Sequence, residues 1–294
     1  MDQGNIVKAP EDSGVPEQAR SFSVRDRVVI VTGAGQGIGR EAARQFAAAG
    51  AIAIVADVNL DNAARVQKEI TFRGDRASAV HVDVADNASV QAMVEQVVAM
   101  HGRVDVLINN AAIFATLEKR KFDLIPVEEW ETVMRVNIDG PFLGARAVIP
   151  HMRRQGWGRI INISSDAVTR GVMNYLHYVT SKSAMIGMTN AMARELGEDG
   201  INVNCIRPGA VATEVDRAVN PTTDLRKTQI AQQCLKRGML PTDLVGLMIF
   251  LASPASDFIT GQTILCAGGY TPSSYAKPPA LRGRRAPAES LAVT

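Results

Sequence analysis

From about residue 25 to residue 270, short apolar runs alternate with longer amphipathic stretches. Val28 to Val31, Ala51 to Ala56, Val80 to Val84, Val104 to Ile108, Arg159 to Ser164, Ile201 to Ile206 and Gly261 to Leu265 are rich in β-branched or small apolar residues. Such runs predict strands buried on both faces, the signature of a parallel sheet. Helical periodicity fills the gaps: through Ala42, Phe46 and Ala47, over about 61–73, from Ala88 to Met100, from Val127 to Arg153, from near Tyr178 onward, and from Pro241 to Leu251. The fourth of these is expected to break at Gly140-Pro141, where proline removes a backbone hydrogen bond and leaves a carbonyl free beside Asn137. Repeated strand–helix units without hairpin signals predict a single doubly wound α/β domain, with a parallel sheet of about seven strands and helices on both faces.

The flanks read differently. Residues 1–24 carry Pro10, Pro16 and several acids and are expected to be a disordered arm. Residues 271–294 hold Pro272, Pro278, Pro279 and Pro287, with Lys277, Arg282, Arg284 and Arg285 against Glu289, which predicts a disordered basic tail. Within the domain, 113–126 reads as a loop and 214–240 as a mobile lid over the sheet edge. Lys119-Arg120-Lys121 in that loop reads first as solvated surface, with an anion-binding role as the alternative.

Composition narrows the function classes. Hydrophobic residues make up 46% and charged residues 21%, ordinary for a globular protein, and the net charge of +2 gives no reason to expect nucleic acid or an acidic membrane as partner. Leu244 to Ala252 is far shorter than the roughly 18 apolar residues that span a bilayer, and the acidic N-terminal stretch lacks the apolar segment of a secretory signal. Cys205, Cys234 and Cys266 are scattered, so neither a disulfide framework nor a metal site is expected, and a cytoplasmic location fits.

Candidate chemistry lies at the strand ends. After the first strand comes Thr32-Gly33-Ala34-Gly35-Gln36-Gly37-Ile38-Gly39, then a helix. Glycine lets backbone N–H groups approach a pyrophosphate, and a helix N-terminus adds positive potential. The second strand ends at Asp57, 18 residues beyond Gly39, where an acid accepts from a ribose 2′-hydroxyl and repels a 2′-phosphate. NAD is therefore expected, with Arg40 the one nearby cation that could soften the preference; a helix-capping role for Asp57 is the alternative. Asp83 is placed to meet an adenine or to cap the next helix. Tyr178 and Lys182, four apart, share one helix face, and a nearby ammonium favours the phenolate of a tyrosine. With a serine at a strand end, such a pair can move a proton on or off an alcohol.

In order and spacing these residues resemble the short-chain dehydrogenase/reductase family: Thr32-Gly33-x-x-x-Gly37-x-Gly39, Asp83-Val84, Asn109-Asn110-Ala111, Asn137, Ser165, Tyr178-x-x-x-Lys182 and Pro208-Gly209. Ser165, 13 before the tyrosine and 28 after Asn137, fits the spacing where Ser164 does not. Ala112 departs from the pattern where glycine usually closes Asn-Asn-Ala, and Ala267 departs before the paired glycines. The resemblance covers about 25–270 and implies a Rossmann-type fold and an NAD-dependent oxidoreductase acting on a secondary alcohol or ketone. Tyr178 would be the general acid/base, Lys182 would lower its pKa and hold the nicotinamide ribose, Ser165 would hold the substrate oxygen and Asn137 would anchor a relay water. Gly33, Gln36, Gly37 and Ile38 would line the pyrophosphate turn, Asp57 the adenosine ribose, Asp83 and Val84 the adenine, Asn110 the inner ribose, and Val211 and Thr213 the carboxamide. A homotetramer or homodimer is implied as well. Phe114, Val172, Met173, Tyr175, His177 and the lid are candidates for a largely apolar substrate pocket, Arg170 keeps an anionic substrate open, and His177 reads first as structural. An NADPH-dependent ketone or 3-oxoacyl reductase and a non-catalytic dinucleotide sensor are the competing readings.

Overall fold

The computed structural model describes residues 22–270 except 216, 217 and 219–222. Most of the expected arm and the whole expected tail lie outside the described residues. Val24, assigned to the arm by its sequence, is fully buried, so the packed domain begins there.

Seven parallel strands form one sheet in the order β3-β2-β1-β4-β5-β6-β7: β1 Val28–Thr32, β2 Ile52–Asp57, β3 Arg76–His81, β4 Val106–Asn109, β5 Gly158–Ile163, β6 Ile201–Pro208 and β7 Thr263–Cys266. The order reverses between β1 and β4, and a ligand crevice opens at such a switch point. Successive side chains of a strand face opposite sides of the sheet. Val29 and Val31 of β1 therefore pack with Phe46 of α1 (Gly37–Ala48), Val66 of α2 (Leu60–Thr71) and Met248 of α9 (Thr242–Ala252). Val28 and Ile30 pack on the other face with Met93 of α3 (Asn87–His101) and Met152 of α5 (Gly140–Gln155). Burial on both faces explains why the strands read as continuous apolar runs.

Two expected elements move. The third strand runs from Arg76 to His81, not from Val80 to Val84. Its register pairs Arg76 with Ile52 and His81 with Asp57; after one more bond, from Val82 N–H to the Asp57 carbonyl, the chain leaves the edge and turns at Asp83. An edge strand needs fewer apolar residues, so the valines pulled the expected boundary toward the turn. Nor does the helix break at Gly140-Pro141. α4 (Val127–Met134) continues through a π turn, Arg135–Asp139, into α5, and Gly140 N–H donates to the Arg135 carbonyl five residues back. The wide turn absorbs the proline, and Asn137 sits inside it.

Candidate active site

The glycine turn is built by close approach. Gly33 and Gly37 hold φ of 63° and 59°, and a Cβ on Gly33 would lie 2.8 Å from Ala111 Cα. On Gly39 a Cβ would meet the Gly33 carbonyl at 2.3 Å, and on Gly35 an Asp57 carboxylate oxygen at 2.8 Å. The turn thus presses on the ends of β2 and β4 and leaves backbone exposed in front of α1. Thr32 Oγ1 accepts from the N–H groups of Asn110 and Ala111, both at 3.1 Å, while the Asn110 amide donates to the carbonyls of Thr32 and Gly33 at 2.8 and 3.1 Å. Asn110 therefore braces the turn. This cradle fits a dinucleotide pyrophosphate, because side chains would fill the space the glycines leave.

Asp57 sits at the tip of β2 and lines the same cavity. It accepts from Gly35 N–H at 2.8 Å and Asn59 N–H at 2.9 Å, which fixes the carboxylate at the rim. Arg40 is committed elsewhere: it donates twice to Glu69, at 2.9 and 2.7 Å, and pairs with Glu214 at 3.5 Å. Asp83 accepts from Ala85 N–H at 2.9 Å and so shapes its own turn while facing the cavity beside Val84.

Sequence reasoning passed over Glu214, whose Oε1 accepts from Gly37 N–H at 3.1 Å at the start of α1. Burial alone would raise its pKa, but the hydrogen bond from its own backbone N–H, the Gly37 bond and Arg40 together outweigh that and hold the carboxyl below the usual range. The acid thus competes with any phosphate for a helix N-terminus. Glu214→Gln is expected to tighten dinucleotide binding about threefold at low salt. Titration of bound reduced nicotinamide by fluorescence, repeated at high salt, checks both the gain and its fading.

At the far end, α7 (Leu176–Leu196) carries Tyr178 and Lys182 one turn apart, and both line the cavity. Lys182 is buried and donates from Nζ to the Ile163 carbonyl at 2.8 Å. Burial pushes its pKa down to about 8, with Cys205 pulling weakly the other way. Among the described residues no carboxylate forms an ion pair with it. Ser164 is buried and donates to the Lys182 carbonyl at 2.6 Å, so its hydroxyl is spent inside the helix–strand joint. Ser165, the next residue, also lines the cavity and accepts from the N–H of Ala167, the first residue of α6 (Ala167–Arg170), at 3.1 Å, which leaves its proton available. Both serines line the cavity, and they differ in that the Ser164 proton is committed to a carbonyl while that of Ser165 is not.

Asn137 does not line the cavity; its neighbour Val136 does. Fully buried, Asn137 accepts from Ile113 N–H at 2.8 Å and donates to the Ile113 carbonyl at 3.2 Å and to Ser181 Oγ at 3.0 Å. Its side chain ties the 113–126 loop to α7 next to Lys182. Only its backbone carbonyl lacks the usual donor, because residue 141 is proline.

The substrate end is aromatic. The Phe114 ring lies 4.5 Å from the Tyr178 ring and 5.8 Å from Tyr175, and Val172 completes this wall. Two other expected lining residues are elsewhere. Met173 is 82% exposed and outside the cavity, because the chain turns outward before Asn174, whose φ is 67°. His177 is fully buried, accepts from Tyr178 N–H at 2.9 Å through Nδ1 and lies 3.2 Å from Glu129 through Nε2; it is structural. Over this end lies the stretch expected as a lid. Ala218 N–H donates to the Ala115 carbonyl at 2.7 Å, and Val215 and Gln229 (on α8, Thr223–Ala231) reach the cavity. One continuous cavity of about 640 Å³ therefore runs from Asp57 and Asp83, past the glycine turn, to Ser165, Tyr178 and the aromatic wall. Val211 and Thr213 line it between the two ends. No helix of the described residues is long and apolar enough to cross a membrane, and among them no cluster of His, Cys, Asp or Glu could hold a metal.

Comparison with known proteins agrees with this geometry. Residues 33–271 match a family model described as enoyl-(acyl carrier protein) reductase. An uncharacterised oxidoreductase of Mycobacterium tuberculosis is 41% identical over 83% of this chain and 96% of its own. The 3-oxoacyl acyl-carrier-protein reductase of Staphylococcus epidermidis is 36% identical over 83% of this chain and 98% of its own. Among solved structures, a gluconate 5-dehydrogenase of Burkholderia cenocepacia, in complex with NADP and tartrate, superposes with a TM-score of 0.80 at 34% identity, over 86% of this chain and 98% of that one. A 7α-hydroxysteroid dehydrogenase complexed with NADH and a 7-oxo bile acid gives 0.81 at 32% identity, over 86% and 97%. With the glycine turn, the switch-point cavity and the tyrosine–lysine pair already on one crevice, these matches show that the chain belongs to the short-chain dehydrogenase/reductase family of oxidoreductases.

Proposed function

We propose that the protein is an NAD-dependent dehydrogenase that interconverts a secondary alcohol and a ketone. The observation that carries this is the meeting of Ser165, Tyr178 and Lys182 on the cavity whose other end holds Asp57 and the glycine turn. A bound nicotinamide would supply the hydride acceptor or donor. Ser165 Oγ donates to the substrate oxygen and orients it. The Tyr178 phenolate takes the hydroxyl proton as hydride leaves the same carbon, and the phenol returns that proton to the oxygen in the reverse direction. Lys182, charged within an apolar seat, favours the phenolate. The Asn137 carbonyl is the acceptor available to a relay water beyond Lys182. Assaying secondary alcohols and ketones with each dinucleotide, followed by nicotinamide absorbance, tests the reading; no turnover with any pair would end it.

The NAD preference rests on Asp57, a fixed carboxylate at the rim, and on Arg40 being tied to Glu69. Asp57→Asn keeps an acceptor for Gly35 N–H and removes the charge that repels a 2′-phosphate. The NAD-to-NADP ratio of kcat/KM is expected to fall about tenfold, read from initial rates with both cofactors. A 3-oxoacyl reductase using NADPH is the second reading, favoured by the Staphylococcus relative. Equal or better turnover with NADPH and a 3-oxoacyl thioester would put it first. The three free cysteines fit a reducing cytoplasm, and a homo-oligomer is proposed from the family.

A further inference from the structure

Of the three adjacent cations 119–121, the structure singles out one. Lys119 lines the cavity at its substrate end, with Nζ 5.9 Å from the centroid of the Tyr175 ring. Its neighbour Arg120 pairs with Glu118 at 2.8 Å, and Lys121 does not line the cavity. Arg170, the other cation at this end, is paired with Asp166 at 3.0 Å and lies 5.1 Å from the Tyr270 ring. The carboxylates that line the cavity, Asp57 and Asp83, belong to its opposite end. Among the described residues Lys119 forms no ion pair with a carboxylate, so the aromatic wall ends in a cation that none of them pairs. A cation placed beside an apolar wall favours ligands that carry a negative group at the matching position.

We infer that Lys119 reads an anionic group on the substrate, so that the preferred alcohol or ketone is amphipathic. Its reacting carbon lies at Tyr178, its apolar segment lies along Phe114, Val172 and Tyr175, and a carboxylate or phosphate meets Lys119 at the rim. This rests on the dehydrogenase reading and names its substrate class. A carboxylate would come from a free hydroxy acid, a phosphate from a phosphopantetheine thioester.

The test uses two matched pairs with the dinucleotide-loaded protein: a medium-chain hydroxy carboxylate against its amide, and a hydroxyacyl phosphopantetheine thioester against the same thioester without phosphate. The wild type is expected to favour the anionic member of one pair about tenfold in kcat/KM. The pair that shows it identifies the source. Lys119→Met should bring that ratio close to one, Lys119→Glu should invert it, and Lys121→Met, the same charge change outside the cavity, should leave it. No preference in either pair, or a preference that survives Lys119→Met, overturns the inference. Calorimetry with the matching ketones gives a readout independent of turnover. Anionic ketones that bind more tightly through Lys119 without any being reduced would keep this inference and sink the dehydrogenase reading. Absent or Lys119-independent binding would overturn the inference whatever the turnover.

Discussion

Tyr178→Phe is expected to lower kcat/KM by about a thousandfold while leaving dinucleotide affinity within about twofold. The substitution removes one hydroxyl and keeps the ring, and the ring is what packs at 4.5 Å against Phe114. The aromatic wall and the α7 register therefore survive, so a loss of rate is assignable to the proton path. General acid–base catalysis contributes about 10²- to 10⁴-fold, and here the reaction has no second route of comparable quality. Ser164 is committed to the Lys182 carbonyl, and His177, adjacent in sequence, is committed to Glu129 and to the Tyr178 backbone. Ser165 can hold the substrate oxygen but is far too weak an acid to replace a phenol. The measurement is the pair of steady-state parameters and dinucleotide affinity on the same preparation. A variant with intact kcat/KM would remove Tyr178 from the mechanism and raise the non-catalytic sensor reading in its place.

Much of this was legible in the sequence for an identifiable reason. Strands buried on both faces must be apolar throughout, so β1, β2, β4, β5 and β6 announce themselves, and fixed strand–turn–helix spacing places Gly33, Asp57 and Ser165 at strand ends. Spacing points to Ser165 rather than Ser164, and the two face opposite ways: the ladder continues past β5 through the N–H groups of Ser164 and Asp166 to the carbonyls of Ile206 and Pro208, which turns Ser164 and Asp166 inward. What stayed hidden depends on tertiary partners. Lys119 differs from Arg120 because it lines the cavity, whereas Arg120 lies off it and is paired with Glu118 and Glu129. Glu214 gains meaning from Gly37, 177 positions earlier in the chain. Asn137 drew attention for its type and place, yet its side chain proved to be a brace. The π turn that seats it reflects how the helix accommodates Pro141, and helical periodicity does not distinguish that from a break.

Lys182→Met should cost more than about a hundredfold in turnover and yet stabilise the ligand-free protein. Among the described residues the buried ammonium has one hydrogen-bond acceptor, the Ile163 carbonyl, and its pKa falls from 10.5 to about 8 because burial disfavours the charge. A folded-state pKa below the unfolded value means that the unfolded chain binds the proton more tightly. The resulting cost, about 3 kcal/mol for a shift of that size, is fully present below pH 8. It shrinks as pH rises from about 8 to 10.5 and is absent above, where both states are neutral. Methionine fills a similar volume without charge, and leaving the Ile163 carbonyl unpaired takes back about 1 kcal/mol. The variant should therefore exceed the wild type by about 2 kcal/mol in denaturant unfolding at pH 7, and the advantage should vanish near pH 10. A variant less stable than wild type at pH 7, or an advantage that does not change with pH, would show that the ammonium is not held at a cost. The geometry would then have to provide an unseen counter-charge for it. The expected result instead marks Lys182 as a residue kept for chemistry: its charge is unfavourable for the empty fold and useful only when a phenol and a substrate oxygen face it across the cavity.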